Sequence, residues 1–191
     1  MPISDCEVRD PRIRRTRKML QSALRTLVQT RSFDEISVQD ITDEATISRA
    51  TFYDHYTDKY ALLAALIAGE FHAMLRERAV RYEGSGTEGP LIQAVCDYLL
   101  EIHSRNKCDH QGPFEPFMDA AIVAAIQKML QMGMPVRNEM AAAAASAAIY
   151  GAAREWLNTP SHPPAQQIVP LVQAMVQPIL SASEKAAVQT R

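Results

Sequence analysis

Between Ser48 and Lys59 the chain reads SRATFYDHYTDK, a stretch rich in side chains that hydrogen-bond well away from the backbone. Arg49 can fork onto the acceptors of guanine, while Ala50 and Thr51 are small enough for close approach and can touch a thymine methyl. Tyr53, His55 and Lys59 are types that bind phosphate, and Ser48 is a good cap for a short helix. Phe52 falls on the same face as Ile47 and Tyr56, so it is expected to pack inward against Leu24 and Ile41. Arg49, Ala50, Thr51 and Tyr53 are then left outside, although Tyr53 suits either face. Other chemistry has less to offer. His103, Cys108 and His110 match no common zinc spacing and lack a fourth ligand. Cys108 has only Arg105 and Lys107 nearby to depress its pKa. No nucleophile elbow or paired-carboxylate motif is present, so neither an enzyme nor a metal or other cofactor is expected.

Charge distribution points the same way. The chain of 191 residues carries 20 Lys plus Arg against 22 Asp plus Glu, a balance that names no partner. From Arg9 to Arg31, however, eight basic residues face one acid, Asp10, a local excess of +7. Residues 61–191 hold ten basic residues against twelve acids. One concentrated basic segment on a neutral protein suits a local anionic partner. A basic amphipathic helix can equally be a solvated face, so the segment needs support from its neighbours.

Composition excludes several classes. Apolar residues make up 47% of the chain, enough for a core. No glycine precedes Gly69, which rules out a P-loop or GxGxxG turn in the first third. Cys6, Cys96 and Cys108 are scattered without CxxC spacing, which argues against a disulfide scaffold or zinc ribbon and for a reducing compartment. The first residues show no apolar leader, and the uncharged stretch from Trp156 to Ser183 is broken by five prolines. A soluble, cytoplasmic protein with no membrane partner is expected.

The elements that must position the first motif read as helices. Ile13, Leu20, Leu24, Leu27 and Val28 form a stripe over about 11–30, ringed by Arg14, Arg15, Lys18 and Arg25. Ser37 to Asp40 has the form of a capping box opening a second helix over 38–45. Thr46 to Ser48 is a tight link into a third short helix ending near His55, giving a helix-turn-helix. Ser37 would add a hydroxyl and a helix N-terminus to the phosphate-facing side, and the start of the first helix, with Arg15 and Thr16, would add basic and polar groups. Thr57 is expected to cap a fourth helix over 58–82, which ends in the Gly84–Pro90 loop. Further helices are expected near 90–105, 114–132, 136–158 and 164–182, with Pro170 and Pro178 kinking the last. No strand is expected.

Residues 16–63 resemble the DNA-binding domain of TetR/AcrR-type transcriptional repressors. Ser48 to Lys59, followed by Ala61, Leu62 and Leu63, matches that family's SRxTFYxHFxxKxxLL pattern at nearly every position. The resemblance implies an all-α homodimer: an N-terminal three-helix helix-turn-helix DNA-binding domain and a divergent C-terminal helical domain for ligand binding and dimerisation. The corresponding division is a tail over 1–8, the DNA-binding domain over 9–60 and the second domain over 61–191. Three departures stand out. Thr46 and Ile47 replace the usual turn with its glycine, Arg31 and Ser32 stand where a capping glycine is common, and Tyr56 replaces the usual Phe.

The C-terminal body is less explicit. Residues 140–153 carry tiny side chains on every face, so a partner helix could approach closely. Ala145, Ala148, Ile149 and Ala152, with Val169, Val172, Met175, Val176 and Ile179 of the last helix, would give two helices per subunit to a four-helix dimer interface. The alternative is an internal core helix. Phe71, Met74, Tyr98, His103 and Phe114 could line an effector cavity, together with Phe117, Met118, Ile122, Tyr150 and Trp156. Packing is the competing role for most of them, and a hydrophobic or aromatic effector is the mild preference. The expectation is a ligand-responsive homodimeric repressor, released by a small molecule from a pseudo-palindromic double-stranded DNA operator. A protein-binding helical adaptor and a ligand-binding or enzymatic domain with a vestigial head are the rival classes.

Overall fold

Each helix of the N-terminal region starts on a side chain suited to the task. Asp10 opens α1 (Pro11–Leu27), its carboxylate accepting the Arg12 amide at 2.8 Å with Pro11 in the first turn. Leu20, Ala23 and Leu24 form its buried stripe. A single 3-10 turn at Phe33–Glu35 follows, and then Ser37 opens α2 (Val38–Ala45) through a complete capping box. Ser37 Oγ accepts from the Asp40 amide at 3.1 Å, and Asp40 accepts from the Ser37 amide at 2.7 Å. Ser48 caps α3 (Arg49–His55) by accepting the Thr51 amide at 3.1 Å. Asp58, rather than Thr57, caps α4 (Lys59–Glu77), accepting the Ala61 amide at 2.7 Å.

The computed structural model describes residues 10–105, 115–134 and 138–188, and among them every regular element is helical. The chain continues through α5 (Gly89–Arg105), α6 (Glu115–Gly133), α7 (Glu139–Asn158) and α8 (Ala165–Val188). α8 runs through both Pro170 and Pro178 and extends past the expected end near 182. The described residues fall into two compact units, one of 10–70 with 115–121 and one of 71–105 with 122–188. The first is built on α1 packed against α2 and α3. Leu20, Leu24, Ile36, Ile41, Phe52 and Leu62 are fully buried in its core. In the second, α7 packs on α5 and α8, with Leu91, Ile92, Val95, Ile149 and Val176 inside.

Two helices end in the left-handed conformation that normally calls for glycine. After α2, Thr46 takes φ 55° and ψ 44°, while the Ile47 amide reaches back to Thr42 O at 2.9 Å and the Thr46 amide to Asp43 O at 3.1 Å. After α4, Ala79 takes φ 52°, with Val80 N to Leu75 O at 2.8 Å and Ala79 N to Arg76 O at 3.1 Å. That second turn corrects the expected end near Tyr82. Residues 76–79 and 81 are all exposed, so no apolar stripe carries the helix onward, whereas Tyr82 is buried. A side chain at Gly133 would collide with the Tyr82 backbone carbonyl, so only glycine allows that approach.

Arg31 braces the capping box, donating to Asp40 Oδ1 at 2.9 Å and to Glu35 O at 2.8 Å. The Ser37 hydroxyl foremost, then Arg31, hold the Asp40 carboxyl well below its ordinary 3.8. A depressed carboxyl contributes stability above its unfolded pKa and loses it as pH falls. The urea midpoint of Asp40→Ala should therefore lie below wild type at neutral pH, and the gap should close as pH drops below 3.8. Thr46→Gly should raise the unfolding free energy by about 0.5–1 kcal/mol, because a β-branched residue is strained at that φ. Urea denaturation measures both.

Candidate nucleic-acid interface

Burial sets the rotation of α3. Phe52 is 0% exposed, with Tyr56 buried beside it at a ring-centroid distance of 6.1 Å and Tyr53 edge-on at 5.3 Å. With that face sunk, Arg49 and Ala50 are exposed and Tyr53 is 50% exposed. Thr51 is half-buried, its hydroxyl 2.9 Å from Ser48 Oγ. One outward surface thus offers a guanidinium, a methyl and a phenol, groups able to read base edges or hold phosphate.

Around this face the sequence-predicted contacts divide. Arg15 is exposed on α1, as are Arg12, Arg14 and Lys18. Thr16 is half-buried, and its hydroxyl donates to Arg12 O at 3.1 Å. Ser37 is exposed, but its hydroxyl lies 2.5 Å from Asp40 Oδ2, so only the helix N-terminus remains open to an anion there. His55 is half-buried; burial first, then the Arg17 charge, push the pKa of its imidazole down. Arg17 itself lies over the Tyr56 ring, 5.5 Å from its centroid.

Lys59 departs from the expected role. Its ammonium points into the domain and donates to three backbone carbonyls, Phe33 O at 3.0 Å, Asp34 O at 3.1 Å and Ile36 O at 2.8 Å. It forms one wall of a groove of about 370 Å³ that also takes in Asp34, Glu35, Ser37, Tyr53 and Asp58. The groove is lined by acids on a side where a cation was expected. Over residues 32–60 the count is two bases, Arg49 and Lys59, against seven acids, a net of −5. Coulomb attraction for a polyanion thus comes from α1, and the helix-turn-helix itself opposes it. The seven acids are as visible in the sequence as the basic run that precedes them.

The residues expected to form a pocket or a subunit seam differ in exposure. Phe71, Tyr98, Ile122, Tyr150 and Trp156 are buried, with the Phe71 and Tyr98 rings 5.1 Å apart and the Trp156 indole donating to Pro163 O at 2.7 Å. Met74 and Met118 are half-buried and His103 is exposed. Phe114 and the side chain of Phe117 lie outside the described residues, as do Cys108 and His110. Among the seam candidates, Ala145, Ile149, Val172 and Val176 are buried within one chain. Ala148, Ala152, Val169 and Ile179 are half-buried, and Met175 is 56% exposed. The outward stripe of α7 is instead Met140, Ala143, Ala147 and Gly151, about half a turn away, and nothing lies within 4 Å of a side chain built at Gly151. On α8, Leu171 at 58% exposure joins Met175.

Comparison with known proteins places this arrangement. Residues 20–66 match the bacterial regulatory proteins of the tetR family. That match takes in 47 of the 191 residues, from the second half of α1 to the first turns of α4. An uncharacterised helix-turn-helix-type transcriptional regulator of Bacillus subtilis, YxbF, is 46% identical over 59 residues, which span 30% of this chain and 16% of that protein. DhaS of Lactococcus lactis, the transcriptional activator of the dhaKLM operon, is 30% identical over 67 residues, 35% of this chain and 36% of that one. The chain thus matches only a minor part of the length of these curated relatives. Over 91% of its length it shares its fold with a TetR-family regulator from Streptomyces coelicolor A3, at a TM-score of 0.60, 17% identity and 99% coverage of that chain. Among the described residues, no helix is long and apolar enough to cross a membrane.

Arg49→Ala should leave the urea midpoint close to wild type, because its exposed side chain carries no core packing, whereas Tyr53→Ala should lower it modestly through loss of the edge-on contact with Phe52. Each should weaken binding to a selected duplex roughly tenfold or more, as loss of a base or phosphate contact does. Fluorescence anisotropy would measure it; an Arg49→Ala protein that binds every duplex as wild type does would overturn the assignment.

Proposed function

We propose that this chain is a TetR-family regulator, a homodimeric, ligand-responsive repressor that binds a pseudo-palindromic DNA operator. The observation that carries the reading is the rotation of α3: Phe52 is fully buried while Arg49, Ala50 and Tyr53 face outward beside the exposed bases of α1. Two such helices, one per subunit, would enter successive major grooves about one helical turn apart. Ser48, Thr51 and the N-terminus of α2 at Ser37 would flank the phosphates, with Arg15 and its α1 neighbours supplying the charge.

Dimerisation is supported by the outward apolar stripes. Met140 is 81% exposed, Leu171 58% and Met175 56%, and the small residues between them on α7 permit close helix approach. Paired α7 and α8 helices from two copies would make a four-helix interface that covers them. A small hydrophobic or aromatic effector would bind in the second unit and act through α4, whose residues divide between the two units at Glu70 and Phe71. An effector that favours one tilt of α4 lowers operator affinity by its differential affinity for that state, and DNA weakens the effector equally. A second reading, activation, is favoured by the matched segment of the activator DhaS.

Capture of genomic fragments by the purified chain, sequencing, and transcription assays on the recovered promoters test the reading and fix the sign of the response. Retention of no specific fragment would end it. Met175→Arg should shift the chain toward monomer in sedimentation equilibrium, raising the dimer dissociation constant by about two orders of magnitude, since an unpaired buried charge is costly. An unchanged dimer would remove α8 from the interface.

A further inference from the structure

We propose that Lys59 is a positioning residue of the reading head, a clasp that fixes the turn before α2 to the first turn of α4 and makes no phosphate contact; this rests on the DNA-binding reading above. An ammonium has three protons, and here all three have acceptors: Phe33 O at 3.0 Å, Asp34 O at 3.1 Å and Ile36 O at 2.8 Å. The same nitrogen sits 4.8 Å from the Phe33 ring centroid and 5.6 Å from that of Tyr60, within cation–π range. Turning it toward a phosphate would break three charge-assisted bonds and leave three carbonyls without that donor. Asp34, Glu35 and Asp58 line the same groove and repel a phosphate drawn toward it.

The clasp has a geometric effect. Its acceptors end just before Ser37, the residue that caps α2, and its donor is the first residue of α4. Asp58 fixes that first turn by accepting the Ala61 amide. The chain between these anchored ends is α2, the Thr46 turn and α3, so Lys59 closes a loop around the helix-turn-helix and holds α3 at one setting. Loss of the clasp lets the reading face shift relative to the bases it must meet, which costs specific contacts before general attraction.

Lysine labelling separates this role from a phosphate contact without any mutation. Wild-type protein would be acetylated with a water-soluble succinimidyl ester, free and bound to a duplex enriched from a random library, and digested for mass spectrometry. Lys59 should react more slowly than exposed Lys18 in both states, with no change on DNA binding. Rapid labelling of free Lys59 with protection by the duplex would overturn the proposal. In parallel, Lys59→Gln and Lys59→Arg would be titrated with the same duplex and with a mixed-sequence duplex from about 50 to about 200 mM salt. Lys59→Gln should bind the selected duplex roughly tenfold more weakly at an unchanged salt slope, with mixed-sequence binding unaltered and Lys59→Arg recovering part of the loss. A folded Lys59→Gln protein whose slope falls by about 0.9, the signature of one lost phosphate, would contradict the clasp. If the wild-type chain enriches no duplex, the DNA-binding reading itself fails and takes the reading-head role of Lys59 with it, whatever the labelling shows.

Discussion

The burial of one aromatic ring governs the N-terminal unit. α3 has only seven residues, too few to hold a helix by its own hydrogen bonds, so its stability and its rotation both come from Phe52. Because the ring is wholly enclosed, the helix cannot turn about its axis without exposing it, and burying a phenylalanine is worth about 1.5–3 kcal/mol. That fixes which residues look outward. The caps at Ser37 and Ser48 then decide where α2 and α3 begin, and the left-handed Thr46 decides the bend between them. Orientation of the reading face is thus a consequence of core packing, and the outward side chains contribute little to it.

Electrostatics work against the same face. The basic groups sit on α1, and the helix-turn-helix beside it has a surplus of carboxylates. Such a surface binds a polyanion only when α1 overlies it in the right place, so attraction depends on geometry to an unusual degree. Non-specific association, which asks only for diffuse positive charge, is penalised by the acids of α2 and α3.

The first unit was legible in the sequence because its signals are local. A capping box and a Ser cap carry their meaning within one turn and appear where the residues put them. The expected stripe of α1, by contrast, holds only at Leu20 and Leu24: Ile13 and Val28 at its ends are exposed and Leu27 is half-buried. What was not legible is tertiary in origin. Lys59 matches a family position, but the direction of its side chain depends on three carbonyls that lie 23 to 26 residues earlier in the chain. The end of α4 was equally hidden. Punctuation by glycine is the usual signal, and here Ala79 occupies the left-handed position, as Thr46 does after α2.

In α7 the failure has a different cause. Helical faces are read from contrast between apolar and polar positions, and a run of alanines has none. Ala143, Ala145 and Ala147 are chemically identical, yet the middle one is fully buried and its neighbours are exposed. The choice between faces is made by α5 and α8, the elements packed on α7, whose larger side chains Leu91, Val95, Val172, Val176 and Leu180 are buried. A helix uniform in this way has two surfaces that admit close approach, one occupied by its own chain and one open. The same feature that made its faces ambiguous in sequence lets one helix serve an intramolecular core and still leave a surface of small side chains exposed.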